Sequence, residues 1–242
     1  MTDLAWLTKR PIAHRGLHDG NRLVWENTLA AFALAVKGNF AIETDVHMTK
    51  DGVAVVFHDG DLKRLTDRDG FVRDHTAAEM CEMSIGGTAE KVPTLRQLLA
   101  LVAGQVPVII ELKGDVGFDA GLIAAIAAEL SNYNGHAAIM SFDHHLIRDF
   151  AKLAPHIPGG LTAEGTSVAD LEASFSMLAH GVSFVSYNVH HLPNPFTTFV
   201  RGRLNMPVIT WTVRTKDDFD RTYANAEQAT FELCDPDLLM KK

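Results

Sequence analysis

Two acidic residues, Glu43 and Asp45, stand two positions apart in a run with the composition of a β-strand. Side chains two positions apart on a strand point to the same face, so these carboxylates are expected to lie side by side. Adjacent carboxylates repel each other, and a bound divalent cation removes that cost. With Glu111 from a neighbouring predicted strand they offer three oxygen ligands, which favours Mg²⁺ or Ca²⁺ over zinc. The pair alone would fit an exposed Glu43 and an Asp45 bound to Lys or Arg, but the larger set favours a cation site.

Two of the 12 histidines, His14 and His58, fall beside these carboxylates by strand position. An imidazole titrates near working pH, so such a pair could remove one proton and donate another, as phosphodiester cleavage requires. His47 shares the strand parity of Asp45 but lies toward the following turn, and we expect it to be structural. His18 and other histidines in predicted helices or loops are expected to be solvated.

Positive charge near these groups comes from Arg15 and Lys113. The guanidinium of Arg15 is planar and can donate two parallel hydrogen bonds, whereas the ammonium of Lys113 is a compact charge. Both could neutralise phosphate oxygens while also pairing with nearby carboxylates. Trp211 could line a substrate pocket, although its position alone favours a core aromatic. Glu26 precedes the predicted start of a helix and by itself indicates only a helix-start carboxylate.

The elements that must position these residues alternate between short apolar runs and longer helical patterns. Strands are predicted over 11–14, 41–48, 106–113, 137–142, 157–162, 184–189, 207–213 and 228–233. Helices are predicted over 29–36, after a cap at Asn27 or Thr28, and over 94–102, 118–130, 144–153, 167–179, 195–203 and 215–227. This α/β alternation favours a TIM (β/α)8 barrel in one domain of residues 1–242, with a doubly wound open sheet as the alternative. No glycine-rich nucleotide motif follows the first strand, which argues against the open sheet.

A hairpin is predicted after the second strand, because the Asp-Gly pair at 51–52 separates two alternating runs. A loop of only those two residues would set Asp45 opposite His58. Residues 60–92 are more polar and irregular than the rest of the chain, which indicates a small insertion after the second strand.

Charge and composition limit the partners of the chain. Of its 242 residues, 47% are hydrophobic and 21% are charged, as is typical of soluble globular proteins. The formal net charge is −8 and no basic stripe exists, which argues against nucleic acid and against stable membrane association. No apolar run could span a bilayer and no signal-peptide pattern is evident, so a cytoplasmic location is expected. Cys81 and Cys234 form no CxxC motif and are expected to be free thiols.

Seven short motifs stand in order along nearly the whole chain. They are AHRG at 13–16, ENT at 26–28, ETDVHMTKDGVAVVFHD at 43–59, LKRLTDRDG at 62–70, VPTL at 92–95, IIELKG at 109–114 and ITWTVRT at 209–215. Together they resemble the glycerophosphodiester phosphodiesterase family. The resemblance implies a TIM barrel with a small insertion after the second strand, which fits residues 60–92.

The resemblance also implies an activity, the hydrolysis of glycerophosphodiesters to sn-glycerol 3-phosphate and an alcohol. Nine residues match the motif positions of the family's site: His14 and His58 as the catalytic pair, Glu43, Asp45 and Glu111 as metal ligands, Arg15 and Lys113 as phosphate contacts, Glu26 as a supporting carboxylate and Trp211 as an aromatic at the substrate pocket. The partner implied is a small-molecule glycerophosphodiester.

The chain departs from the family pattern at two places. Thr44 replaces the usual apolar residue between the two acids, and the last strand reads ATFELCDPDLL where many members have a DGI-like ending. Glu232 in that ending could stand in as a substrate contact.

Several alternatives stay open at this point. The cation could be Mg²⁺ or Ca²⁺, either histidine could be the base, and the nucleophile could be water or the substrate's own hydroxyl. The preferred alcohol headgroup and the existence of a homo-oligomer are also undecided by the sequence. A lipid-directed phosphodiesterase of the lysophospholipase D type ranks lower, because the chain has no basic patch. A barrel that only binds a metal or a phosphorylated metabolite ranks lower too, because no member of the site set is missing.

Overall fold

A computed structural model describes residues 4–114 and 121–239 of the chain. Within these residues the strands are β1 Ile12–Ala13, β2 Ala41–Met48, β3 Ala54–Val56, β4 Val108–Leu112, β5 Ala137–Ser141, β6 Gly159–Ala163, β7 Phe184–Asn188, β8 Val208–Val213 and β9 Gln228–Phe231. All except β3 are parallel, and β1 closes them into a barrel because it pairs with both β2 and β9. The predicted TIM barrel is therefore confirmed, and the open-sheet alternative is wrong.

Helices surround the barrel. In the described residues the α-helices are α1 Leu29–Lys37, α2 Lys63–Thr66, α3 Ala77–Glu82, α4 Leu95–Val102, α5 Leu122–Ser131, α6 His144–Leu153, α7 Val168–Ser176, α8 Pro195–Leu204, α9 Lys216–Asn225 and α10 Pro236–Leu239. Thr28 caps α1, since its hydroxyl accepts a hydrogen bond from the Ala31 N–H. The first residues of the helix predicted over 118–130 lie outside the described residues, and α10 was not predicted.

A small apolar cluster fills the barrel interior. Leu7, on a 3-10 turn before β1, packs at one end of this cluster with Ile12 and Phe184. Gly160 on β6 is paired with Phe184 on β7, and a Cβ at Gly160 would lie 2.2 Å from the Phe184 ring. Glycine, which has no Cβ, is therefore needed at position 160 to leave room for the Phe184 ring. A larger apolar layer lies between the strands and the helices.

The β2–β3 hairpin corrects the predicted register by one residue. The Phe57 N–H donates to the Asp45 carbonyl at 3.0 Å, so Asp45 lies opposite Phe57 and not opposite His58. The loop has three residues, 50–52, and Gly52 adopts a left-handed conformation with φ of 79°. A three-residue hairpin loop commonly ends in such a left-handed residue. As a result His58 lies just beyond the paired part of the hairpin.

Residues 60–92 form the predicted insertion, but they are more ordered than the sequence indicated. They contain α2, α3 and a short 3-10 helix at Val72–Asp74. Their apolar side chains form a separate cluster with Val55 and Phe57 of the hairpin. The insertion is thus fixed to the hairpin by its own core, and this fixes the position of α2 beside the barrel end.

Cys81 lies in α3 and Cys234 follows β9, and both are partly buried. Both are free thiols, as expected. None of the helices in the described ranges has the length and apolar character needed to cross a bilayer.

Candidate active site

Three buried carboxylates meet at the C-terminal end of the barrel. Glu43 and Asp45 lie on β2, and Glu111 lies opposite Asp45 on the neighbouring strand β4. One oxygen from each lies within 4.8 Å of the others. Oε1 of Glu43 is buried and has no hydrogen-bond partner among the described residues. Because an unpaired buried oxygen is costly, this donor set fits a hard divalent cation.

Protein cations offset part of the negative charge. Lys113 Nζ lies 3.0 Å from Asp45 Oδ1 and 2.5 Å from Glu111 Oε1. Burial acts to raise the pKa of Asp45, but the charges of Lys113 and other nearby cations outweigh it and lower that pKa. Burial, together with repulsion from Asp45 and Glu111, raises the pKa of Glu43 well above its ordinary value. A divalent cation would relieve this repulsion.

Asn27 orients Asp45 within the cluster. Its amide N–H donates to Asp45 Oδ2 at 2.9 Å, and the Thr44 hydroxyl donates to Asn27 Oδ1 at 3.0 Å. All three side chains are buried. Because an ionised carboxylate only accepts hydrogen bonds, the amide N–H must face Asp45, which leaves the amide oxygen to accept from the Thr44 hydroxyl. This contact accounts for a threonine between the two acids, and it gives Asn27 a role beyond the predicted helix start.

His14 follows β1 and is held by residues that follow β8 and β9. Its Nδ1 lies 2.5 Å from Oε2 of Glu232, and Arg214 contacts Oε1 of Glu232 from Nε at 2.8 Å and Nη2 at 2.7 Å. We call His14, Glu232 and Arg214 the His14 arm. The side chain of His18, expected to be solvated, is only 5% exposed and lies 3.5 Å from Glu232 Oε2. Nε2 of His14 lies 3.9 Å from Glu43, so it faces the carboxylate cluster.

His58 has a similar set of partners, drawn from the hairpin and the insertion. Its Nδ1 lies 2.6 Å from Oδ1 of Asp59, and Arg64 on α2 donates to both Asp59 oxygens at 2.6 and 3.0 Å. We call His58, Asp59 and Arg64 the His58 arm. His47 Nε2 lies 3.0 Å from the His58 carbonyl, a contact that agrees with a structural role for His47.

Glu26 links the His58 arm to Arg15. Its Oε1 accepts from Arg15 at 2.7 Å and from Arg64 at 2.8 Å, and its Oε2 accepts from Asn21 at 2.7 Å and from Arg64 at 2.8 Å. Burial acts to raise the pKa of Glu26, but these donors lower it to about 2. The main-chain N–H of Arg15 donates to Glu43 Oε2 at 2.9 Å. Glu26 therefore holds two arginines, one of which also contacts the carboxylate cluster.

Both histidines lie close to the cluster. Burial is the largest effect on each imidazole and lowers the pKa of His14 and of His58. When either ring is protonated, its positive charge acts to lower the pKa of Asp45. Two histidines and three carboxylates thus surround one small volume at the barrel end.

Trp211 on β8 lies at the edge of this volume. Its ring is partly buried, its Nε1 donates to the Ser186 carbonyl at 3.3 Å, and it meets Phe142 edge-on at 5.4 Å. A cavity of about 480 Å³ lies beside it, lined by Phe142, Glu111, Lys113 and residues of the insertion.

The structure brings the nine predicted site residues to one end of the barrel. Sequence reasoning missed five residues that hold them: Asn27, Asp59, Arg64, Arg214 and, as a histidine partner, Glu232. A signal existed for two of these residues. Asp59 directly follows His58, and Arg214 directly follows the strand predicted over 207–213, at the end of the strand where parallel barrels carry their functional groups.

Comparisons with known proteins agree with this site. The sequence matches the Glycerophosphoryl diester phosphodiesterase family over residues 14–226. The glycerophosphodiester phosphodiesterase of Caldanaerobacter subterraneus subsp. tengcongensis is 32% identical over 222 residues, which cover 87% of this chain and 88% of the relative.

Solved structures show the same fold. An Oleispira antarctica phosphodiesterase in complex with the product sn-glycerol-3-phosphate superimposes with a TM-score of 0.78 at 23% identity, over 92% of both chains. The glycerophosphodiester phosphodiesterase of Agrobacterium tumefaciens str. C58 gives a TM-score of 0.74 at 24% identity, over 99% of both chains. On the family match and the close relative, the chain belongs to the glycerophosphoryl diester phosphodiesterase family and is an enzyme of that class.

Proposed function

We propose that this enzyme hydrolyses glycerophosphodiesters to sn-glycerol 3-phosphate and an alcohol, with a divalent cation and with His14 and His58 as its acid–base pair. One observation carries the proposal. Two histidines, each bound through Nδ1 to a carboxylate, flank three buried carboxylates whose oxygens lie within 4.8 Å of one another. Membership of the family supports the phosphodiester as the bond that is cleaved.

Glu43, Asp45 and Glu111 would hold the cation, and their all-oxygen set favours Mg²⁺ or Ca²⁺. A bound cation neutralises phosphate charge and makes the phosphorus more open to attack. The unpaired buried oxygen of Glu43 supports this assignment, because a cation would supply its missing partner.

Arg15 and Lys113 provide the positive charge that an acidic protein needs beside a phosphodiester. Burial acts to lower the pKa of Lys113, but Asp45 and Glu111 outweigh it and raise that pKa, so the amine stays charged. Glu26 fixes the guanidinium of Arg15 beside the cluster. These contacts support the proposed role of both cations, which is to bind phosphate oxygens.

The two histidines move the protons. Since Nδ1 of each ring faces a carboxylate, Nε2 is the atom available to the substrate. One Nε2 takes the proton of the nucleophile as its oxygen bonds to phosphorus, and the other Nε2 gives a proton to the alcohol oxygen as the old P–O bond breaks. The nucleophile is either water or the neighbouring glycerol hydroxyl. The second route forms a cyclic phosphate that water then opens, and both routes give the same products.

A coupled assay tests the proposal. Purified protein is incubated with glycerophosphocholine, and released glycerol 3-phosphate is detected with its dehydrogenase, in Mg²⁺, in Ca²⁺ and in EDTA. We expect release that needs the cation and stops with EDTA, and calorimetry should show cation binding that Glu43→Gln weakens. Cation binding without turnover of any phosphodiester would favour a barrel that only binds.

A second candidate, a lipid-directed phosphodiesterase, draws on the cavity beside Glu111. Two of its lining side chains, Phe71 and Phe142, are 43% and 45% exposed. Exposed aromatic rings of this kind could receive an acyl chain. Lysophosphatidylcholine in the same assay separates the two candidates, because cleavage of the lysolipid without cleavage of glycerophosphocholine would select the second.

A further inference from the structure

We infer that Glu232, held in place by Arg214, is a positioning residue that keeps the neutral His14 ring in the tautomer with its proton on Nδ1. The inference rests on the proposed function, in which His14 transfers a proton. It differs from the role expected of Glu232 from the sequence, which was a contact to the substrate.

The geometry separates the two oxygens of Glu232. Oε2 lies 2.5 Å from His14 Nδ1, whereas Oε1 receives both contacts from Arg214, at 2.7 and 2.8 Å. An ionised carboxylate can only accept hydrogen bonds, so the ring nitrogen that faces it must carry a proton. Nε2 is then the unprotonated atom of the neutral ring, and it is the one that faces Glu43.

The charge of Glu232 is secured by its surroundings. Its side chain is 10% exposed and that of His14 is 13% exposed, so little water competes for the contact. Burial acts to raise the pKa of Glu232, but the hydrogen bond from His14, the nearby ring of His18 and the charge of Arg214 lower it strongly. Glu232 therefore stays an acceptor throughout the pH range in which the enzyme would work.

This role holds whether His14 is the base or the acid. A base needs a lone pair on Nε2, which the tautomer provides. An acid needs protons on both ring nitrogens, and the carboxylate stabilises that charged ring. Glu232 thus acts through His14 and is not itself a catalytic residue.

Glu232→Gln tests the inference because Arg214 decides which way the amide turns. The arginine fork needs an acceptor, so the amide oxygen faces Arg214 and the amide N–H faces His14 Nδ1. Nδ1 must then accept, which moves the ring proton to Nε2. We expect kcat to fall about 10²-fold or more with KM changed less than about twofold, as for a catalytic histidine held in the wrong tautomer. In Glu232→Ala no side chain at this position favours either tautomer of His14, so kcat should fall less than in Glu232→Gln.

A spectroscopic readout makes the test independent of turnover. Long-range ¹⁵N–¹H spectra at alkaline pH report the tautomer of each neutral ring, and the His14 signal is the one absent in His14→Gln. We expect Nδ1–H in the wild type and Nε2–H in Glu232→Gln. Glu227→Gln is the matched control, because Glu227 accepts from Arg201 at 2.7 Å in a similar pair away from the site.

The outcomes separate the inference from the proposed function. An inactive wild type with the expected tautomer switch would refute the function and leave Glu232 as the residue that sets the tautomer. An unchanged tautomer in Glu232→Gln, or equal losses of kcat in the Gln and Ala variants, would overturn the inference.

Discussion

The two histidine arms share one chemistry but are built differently. His14 and Glu232 are 218 positions apart, and the three residues of the His14 arm follow three different barrel strands. His58 and Asp59 are adjacent, and Arg64 lies on the insertion helix α2. The first arm therefore depends on closure of the barrel, and the second depends on the fit of the insertion.

The arms also differ in the residues that their arginines contact. The guanidinium of Arg214 contacts the carboxylate of Glu232. The guanidinium of Arg64 contacts both Asp59 and Glu26, and Glu26 also accepts a hydrogen bond from Arg15. We infer that a substitution in the His58 arm weakens phosphate binding as well as proton transfer, whereas a substitution in the His14 arm weakens only proton transfer. The same histidine–carboxylate–arginine unit can thus be either local or part of a larger network.

The largest effect should come from removing either imidazole. His14→Ala and His58→Ala should each lower kcat by about 10²- to 10⁴-fold, because a positioned acid or base contributes about that much. The coupled assay measures the loss, and calorimetry should show that the cation still binds. The exposed His156 supplies the control His156→Ala, with no expected change. Near-normal turnover in either site variant would refute the acid–base pair.

A smaller effect should separate the two arginines. Arg64→Met should lower kcat, raise KM, and lower the free energy of unfolding by about 1–3 kcal/mol, because buried Glu26 loses two donors. Arg214→Met should lower kcat with KM nearly unchanged. Steady-state kinetics and urea unfolding measure both.

Arg96→Met is the control for this pair, since Arg96 forms an exposed ion pair with Glu129 on the helical surface. It should change neither kinetic constant. An equal rise of KM in Arg64→Met and Arg214→Met would contradict the difference between the arms.

The smallest effect concerns pH and stability. The folded-state pKa of Glu26, about 2, lies below its ordinary value, so its charged form stabilises the fold above that ordinary value. This stability is lost as the pH falls from about 4.3, the ordinary value for Glu, through about 2. Urea unfolding across this window should show a steeper loss for the wild type than for Arg64→Met. Parallel curves would show that Arg64 does not set the pKa of Glu26.

The sequence predicted the carboxylate cluster well, for a physical reason. Parallel strands bring their carboxyl ends to one edge, and strand parity puts Glu43 and Asp45 on one face. The hairpin register failed by one residue, because an Asp-Gly pair fits loops of two or three residues. Gly52 is left-handed in either loop, but a two-residue type I′ loop also needs a positive φ at Asp51, which Asp51 does not have. That backbone choice depends on the folded hairpin.

The partners of the histidines were harder to predict. Glu232 reaches His14 only because β1 and β9 pair, a contact that no local pattern encodes. Arg64 lies in a helix of four residues, too short to give a periodic pattern, inside a segment predicted to be irregular. The cap of α1 was predicted at Asn27 or Thr28; Thr28 is the cap, and the Asn27 amide instead donates to Asp45.

Strand β1 has one neighbour early in the chain, β2, and one at its far end, β9. A ribosome releases the chain from its N-terminus, so β2 becomes available to β1 well before β9 does. The residues of the His58 arm have all emerged once Arg64 has left the ribosome. The His14 arm is incomplete until Glu232 has also emerged. A nascent chain is therefore without its complete His14 arm until β9 and Glu232 have emerged, so this arm is completed later in synthesis than the His58 arm.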